Sequence, residues 1–327
     1  MNKQDLLRRL FVATTLGALA ACGGSDDSPP PAQVPAPAPV PTPAAPPPPT
    51  PSPAPAPAPV PAPAPAPSAA TIGAVSFAFR TLELSEIIFS PALLWDDDLR
   101  FVVAGTVCSS GSVIGTFNGG ALPAPGTAAP LNGTLAANFT DCREQGGALR
   151  FNGSASIDYS FTNFVSLDLL DATVVSTVSQ LRVQGGGLDW LANGTADATI
   201  DGTASGATVV DDLTIAPRRG LTFTNGVNGS TASYERGSVG LRRTVQGTIV
   251  SGLRYSATAL EYVVGGTGYI ANGTLTLNYA GVGGSFPGAT GQIDVTSNGA
   301  AVGKIVANGA GTVVVEIGGQ QFPTAGL

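Results

Sequence analysis

Histidine is missing from this 327-residue sequence altogether. That removes Ser-His-Asp and Cys-His catalysis outright and most zinc sites with them. Lysine is almost as rare: Lys3 sits near the start and Lys304 near the end. From Ser68 onward, 12 Arg plus Lys face 19 Asp plus Glu. An acidic balance of that size excludes the basic footprint that nucleic-acid binding needs. It also opposes unassisted adhesion to anionic lipid surfaces. Phosphate-cradling loops are lacking too, because "QGGGLDW" (Gln184–Trp190) has neither the lysine nor the following helix. Aromatics make up only 6% of the chain, against 43 glycines. Side chains this small predict a loosely filled interior rather than a tightly packed large core.

What is present begins with a patterned N-terminus. "MNKQDLLRR" carries Lys3, Arg8 and Arg9 against Asp5, and Leu10–Ala21 follows without a charge. A basic segment, a short apolar run and a small-residue exit describe a secretory signal. Twelve residues at about 1.5 Å each fall short of a hydrocarbon core about 30 Å thick. The exit, Leu19-Ala20-Ala21-Cys22, resembles the lipobox of bacterial lipoproteins. The resemblance implies a signal peptide over residues 1–21, diacylglycerol on the Cys22 sulfur and an acylated N-terminus over 22–28. It implies no other cofactor. Two or more acyl chains, palmitate among them, give the anchoring that one chain does not. Gly23 follows the cysteine where Asp would stand for inner-membrane retention, which by the same resemblance favours the Gram-negative outer membrane. "RRLF" (Arg8–Phe11) also resembles a twin-arginine signal, although Leu7 stands where that motif has Ser or Thr; the general secretory route is the other reading.

From Pro29 to Pro67 the chain is nearly all Pro and Ala, with 21 of the 28 prolines and no charge. Neither helix nor sheet can form there. Residues 29–67 therefore read as a disordered polyproline II linker, reaching roughly 120 Å at about 3.1 Å per residue. Residues 68–327 remain for a folded domain. With Cys22 acylated, Cys108 and Cys142 are left as a pair in an oxidising compartment, which predicts a disulfide. Two thiols in a metal site would be the alternative, without a histidine or third thiol to support it.

Strand signals dominate the domain. "NGSASIDYSFTNF" (Asn152–Phe164) sets Ala155, Ile157, Tyr159 and Phe161 on one face, with Ser154, Ser156, Asp158, Ser160 and Thr162 on the other. That is the period of a half-buried strand. The opening Asn-Gly-Ser/Thr recurs at Asn132, Asn193, Asn228 and Asn272, an irregular internal repeat. Nine Asn-Gly dipeptides in all read as hairpin turns, because a type I′ turn needs positive φ at both central residues. Helix is expected to be scarce: Leu82–Leu99 has room for a turn or two before Pro91. The fold class that results is all-β, an antiparallel meander forming a curved sheet, an open barrel or a flattened sandwich. The run from "VCSSGSVIGTFNGG" through "LNGTLAANFTDC" to "FNGSASIDYSFTNF" resembles a type of bacterial lipoprotein ectodomain over residues 105–165. That resemblance brings a location and a fold, and no activity.

Candidate sites are few. Asp96, Asp97 and Asp98 cluster beside Trp95, and Asp211-Asp212 form a second acidic cluster. Two carboxylates with an aromatic platform suit glycan hydrolysis, and hard oxygen ligands suit calcium, but the spacing is not that of an EF-hand loop. The ordinary role of adjacent aspartates is to solubilise a turn, and no metal site is assigned. Arg218-Arg219 and Arg242-Arg243, if brought together, would bind an anionic partner such as a phosphate or uronate; solvated charges beside turns are the plainer reading. The functional expectation is a non-enzymatic binding or scaffolding domain, tethered to the membrane through its lipid anchor. Its unknown envelope partner would be a glycan or a protein. A carrier of a lipid or other apolar ligand, and a carboxylate-based glycan-active enzyme, are the alternatives.

Overall fold

A computed structural model of the chain describes residues 66–89, 102–121, 129–144, 149–162, 171–185, 188–206, 208–246, 249–278, 289–307 and 313–323. Cys22, nearly all of the proline-rich segment and Asp96–Asp98 lie outside them. Among the described residues, a long helix, α1 (Ala69–Phe89), precedes fourteen strands. These are β1 (Cys108–Gly119), β2 (Leu131–Glu144), β3 (Arg150–Phe161), β4 (Asp171–Gly185), β5 (Leu188–Ser205), β6 (Thr208–Pro217) and β7 (Thr222–Asn225). There follow β8 (Thr231–Gln246), β9 (Ile249–Val264), β10 (Thr267–Asn278), β11 (Thr290–Ser297), β12 (Ala300–Ala307), β13 (Val313–Ile317) and β14 (Gln320–Pro323). All fourteen belong to one antiparallel sheet, in which each strand pairs with its successor apart from one interruption. β6 and the short β7 share a single position between β5 and β8, pairing with both.

The long helix was not expected: Leu82–Phe89 supplies the turn or two read there, but the helix begins at Ala69. Ser68 caps its start: the Ser68 hydroxyl accepts the Thr71 N–H at 3.1 Å and the Ser68 carbonyl accepts the Ile72 N–H. Residues 73–78 are buried consecutively, on every side of the helix. A helical stretch buried on every side belongs inside a protein, and it shows no one-sided apolar stripe for a sequence pattern to reveal. It contacts β4, β5, β9, β12 and β13, strands far apart in the sheet order, so the sheet curves around it.

Three tyrosines tie sheet to helix. The hydroxyls of Tyr262 and Tyr255 donate to the Ala74 and Ala78 carbonyls at 2.8 and 2.5 Å. Tyr234 donates to the Thr81 hydroxyl at 2.8 Å, and Ser176 closes the far end by donating to the Ile88 carbonyl at 2.8 Å. Small inward residues, among them Ala137, Ala155, Ala192, Ala196, Ala257 and Ala271, leave the room that α1 fills. The expectation of a loosely filled interior is therefore corrected. One continuous apolar cluster runs from Val75 and Phe77 of the helix across the sheet to Val315 of β13.

Most Asn-Gly dipeptides are not hairpin turns. Asn298-Gly299 is one, with φ of +51° and +76° between β11 and β12. Asn225-Gly226 and Asn228-Gly229 lie in the β7–β8 loop, where each Asn side chain accepts a backbone N–H two residues on. Asn308-Gly309 lies outside the described residues. Asn152, Asn193 and Asn272 instead sit within β3, β5 and β10, facing a bulge on the preceding strand. Each Asn Oδ1 accepts the N–H of the bulged residue: Asp141 at 2.8 Å, Gln180 at 2.7 Å and Ala259 at 2.7 Å. These three bulged residues have φ of +54°, +49° and +43°. One extra residue reverses which side chains face inward. In β2 the buried set passes from Phe139 to Cys142, in β4 from Val178 to Leu181, and in β9 from Ala257 to Leu260.

The predicted disulfide is present. Cys108 of β1 and Cys142 of β2 are bonded, with Cα atoms 5.1 Å apart, beside the first of these bulges. The half-buried strand read from Ala155, Ile157, Tyr159 and Phe161 is likewise present in β3, with all four side chains buried.

Candidate functional site

The four arginines singled out in the sequence fall at two places. Pro217 ends β6, and Arg218 and Arg219 occupy the excursion before β7, fixed by the Arg218 N–H donating to the Thr195 carbonyl at 2.9 Å. Arg218 donates twice to Asp197, at 2.8 and 2.6 Å, and Arg219 pairs with Glu235 at 2.9 Å. Arg242 and Arg243 lie on β8, opposite Asp212 and Asp211 of β6. Six residues of strand, about 20 Å at about 3.3 Å each, separate Arg218 from Asp212. The two arginine pairs do not form one patch.

Arg242 and Arg243 also point to opposite faces, as neighbours on a strand must. Arg243 is on the inner face, hydrogen-bonded to Asp211, with side-chain exposures of 12% and 11%. This buried pair is a structural element of the wall. Arg242 is on the outer face, 52% exposed, and its approach to Asp212 is loose at 3.4 Å. Asp211 and Asp212 are therefore split between the two faces, each opposite an arginine, and do not make a carboxylate dyad.

The outer face of the sheet is polar and laced with ion pairs: Arg150–Asp141, Arg182–Asp189, Arg236–Glu261 and Lys304–Glu316 join those already given. Hydrogen bonds from Arg182 and Arg236 hold the Asp189 and Glu261 carboxyls below the usual range. A general acid for glycan cleavage needs the opposite shift. Among the described residues there is no group of three or more His, Cys, Asp or Glu side chains that could hold a metal ion.

One arginine escaped the sequence reading. Arg254 of β9 stands directly opposite Arg242 of β8. Among the described residues it has no ion-pair partner. Both belong to the same tripeptide, Gly-Leu-Arg, at 240–242 and 252–254. The two copies run antiparallel in register, with Gly240 opposite Ser256, Arg242 opposite Arg254 and Gly252 opposite Thr244. The repeated tripeptide was the available signal. It was overlooked because Arg242-Arg243 stood out as a doublet.

The sequence matches no protein-family model, no curated protein and no solved structure.

Proposed function

We propose that this chain is an acyl-anchored lipoprotein of the Gram-negative envelope whose β-domain binds or scaffolds a partner without catalysing a reaction. The observation that carries the proposal is the order of segments. A basic, then apolar leader ends in Leu19-Ala20-Ala21-Cys22, a proline-rich spacer follows, and a disulfide-bonded sheet comes after it. The polar, ion-paired outer face supports a module standing in water, since a wall facing lipid would carry an apolar band. Gly23 favours the outer membrane by resemblance, facing either the periplasm or the exterior.

The carrier reading needs an interior that shelters a ligand, and the described interior is occupied by α1. A glycan-active site would rest on Asp96–Asp98, outside the described residues, or on Asp211 and Asp212, which face opposite ways and oppose arginines. The tether is tested by intact-mass analysis of protein extracted in detergent. Diacylglyceryl and N-acyl additions on Cys22 are expected, with a shift of Cys22→Ala to the soluble fraction. An unmodified Cys22 thiol in membrane-extracted protein would refute the tether.

A further inference from the structure

We propose that Arg242 and Arg254 form a clamp for a phosphate monoester on the outer face of the sheet, which names a ligand class for the binding domain proposed above. Like charges placed directly opposite on neighbouring strands destabilise a sheet. In an acidic chain that ties most of its other described arginines to carboxylates, this pair is only half neutralised. Asp212 stands loosely beside Arg242, with Asp201 of β5 opposite Asp212 on its far side, and among the described residues Arg254 has no ion-pair partner, so the unneutralised positive charge lies at the Arg254 end of this row.

The surroundings are open. Two residues before each arginine, on the same face of its strand, stands a glycine, Gly240 or Gly252. A Cβ at Gly252 would meet nothing within 4 Å, and one at Gly240 would meet chiefly the Ser256 hydroxyl, at 2.7 Å. A ligand can therefore approach the backbone at Gly252, on a rung flanking the two arginines, with the Ser256 hydroxyl over Gly240 on the other flanking rung as a further donor. The other opposed pair, Arg143 and Arg150, differs: Asp141 holds Arg150 at 2.5 Å, and no glycine precedes either arginine by two residues.

Geometry selects the class of anion. One guanidinium fork already satisfies the two oxygens of a carboxylate, whereas a phosphate monoester has three terminal oxygens and a charge between −1 and −2 near neutral pH. Two forks whose Cβ atoms stand about 4.5–5.5 Å apart can both donate to one such group.

The test is calorimetric titration of inorganic phosphate, and separately of a sugar 1-phosphate, into the full-length protein in detergent at low salt. Saturable binding is expected, weakened about tenfold or more in Arg242→Gln and in Arg254→Gln and unchanged in Arg219→Gln. Asp212→Asn removes the competing carboxylate and should tighten binding several-fold, a gain that a merely damaged sheet cannot produce. Flotation of the Cys22→Ala protein, which carries no acyl chain of its own to insert, with phosphatidic acid vesicles distinguishes the sources. Capture abolished by the double variant would put the phosphate on a lipid, and sugar phosphate binding without capture would put it on a glycan; both support the clamp. No saturable phosphate binding by the parent protein, or unchanged binding in the double variant, would overturn it. Neither result bears on acylation of Cys22, so failure of the clamp and failure of the tether are distinguishable.

Discussion

Substituting Gly153 by Ala tests the bulge architecture directly. Gly153 has φ of +107°, and a Cβ there would lie 2.1 Å from the Gln180 carbonyl oxygen and 2.5 Å from its carbon. The obstacle is backbone, held in the β3–β4 ladder, so no side-chain rotation relieves it. Ordinary contact would require that carbonyl to retreat by roughly 1 Å, which displaces the bulged residue whose N–H Asn193 caps. Gly229 is the control: its φ is +75°, and its Cβ would meet nothing within 4 Å. Gly229→Ala should cost only the left-handed penalty, about 1–2 kcal/mol. Gly153→Ala adds the overlap and belongs to the severe class, at about 4 kcal/mol or more. For a domain of this size that lowers Tm by roughly 8–16 °C. Urea unfolding followed by the fluorescence of buried Trp190 and thermal melts by circular dichroism measure both. Gly111→Ala and Gly237→Ala, whose Cβ atoms would lie 2.0 and 2.1 Å from the carbonyls of bulged Asp141 and Ala259, should behave like Gly153→Ala. If Gly153→Ala loses no more stability than Gly229→Ala, close approach across the bulge is not what the glycine supplies.

Two further outcomes are expected. Removing the Cys108–Cys142 bridge, with a sequence separation of 34, should cost about 3–4 kcal/mol in the chain-entropy treatment, read as a drop in urea midpoint for the Cys108→Ser/Cys142→Ser protein; an unchanged midpoint would count against that constraint. Burial raises the pKa of Tyr159, Tyr234, Tyr255 and Tyr262 above the ordinary value of 10.0. The unfolded chain therefore releases these protons first as pH rises, and stability that is intact below about pH 10 falls above it, by up to about 1.4 kcal/mol per pH unit for each tyrosine. Phenolate absorbance should rise together with loss of circular dichroism, and independent titration of all four hydroxyls near pH 10 in folded protein would contradict their burial.

The sheet was legible because most inward faces keep a strict alternation. β3 does so over its whole apolar stretch, since it contains no bulged residue of its own. Where a bulge reverses the alternation, at Asp141, Gln180 and Ala259, a period-of-two reading breaks in mid-strand. There the Asn-Gly signal was seen but misassigned. The dipeptide offers an amide to a neighbouring backbone and a position without Cβ, and both uses serve a bulge as well as a turn. Nothing local separates the two cases, because the bulge being capped lies 11 to 13 residues earlier on another strand. Helix α1 was hidden for a different reason. Ala69–Phe89 mixes strong helix formers with Thr, Ile, Val and Phe, and its residues 73–78 are buried on every side, so that stretch lacks the contrast of faces that helical periodicity depends on.

That enclosure also decides where function can reside. A curved sheet built from small inward residues looks, from its sequence, like a vessel for a ligand. Here the vessel is filled from within the same chain, and three tyrosines and a serine secure the filling by hydrogen bonds to the helix. An apolar guest would have to displace α1 and leave the Ala74, Ala78 and Ile88 carbonyls without these donors, at a cost of about 0.5–1.5 kcal/mol for each bond beyond the lost packing. The inner face is thus committed to stability, including its Arg243–Asp211 pair. The proposed recognition is therefore assigned to the outer face, where most of the described arginines are tied to carboxylates and Arg254 is not. Gly-Leu-Arg repeated on β8 and β9 produces that exception, because register sets the two arginines against each other while the glycines keep neighbouring side chains away. A substitution that restores neutrality there, Thr276→Asp opposite Arg254, should strengthen the sheet by a few tenths of a kcal/mol and weaken phosphate binding together. Gain in stability without loss of binding would separate the opposed arginines from any role in recognition.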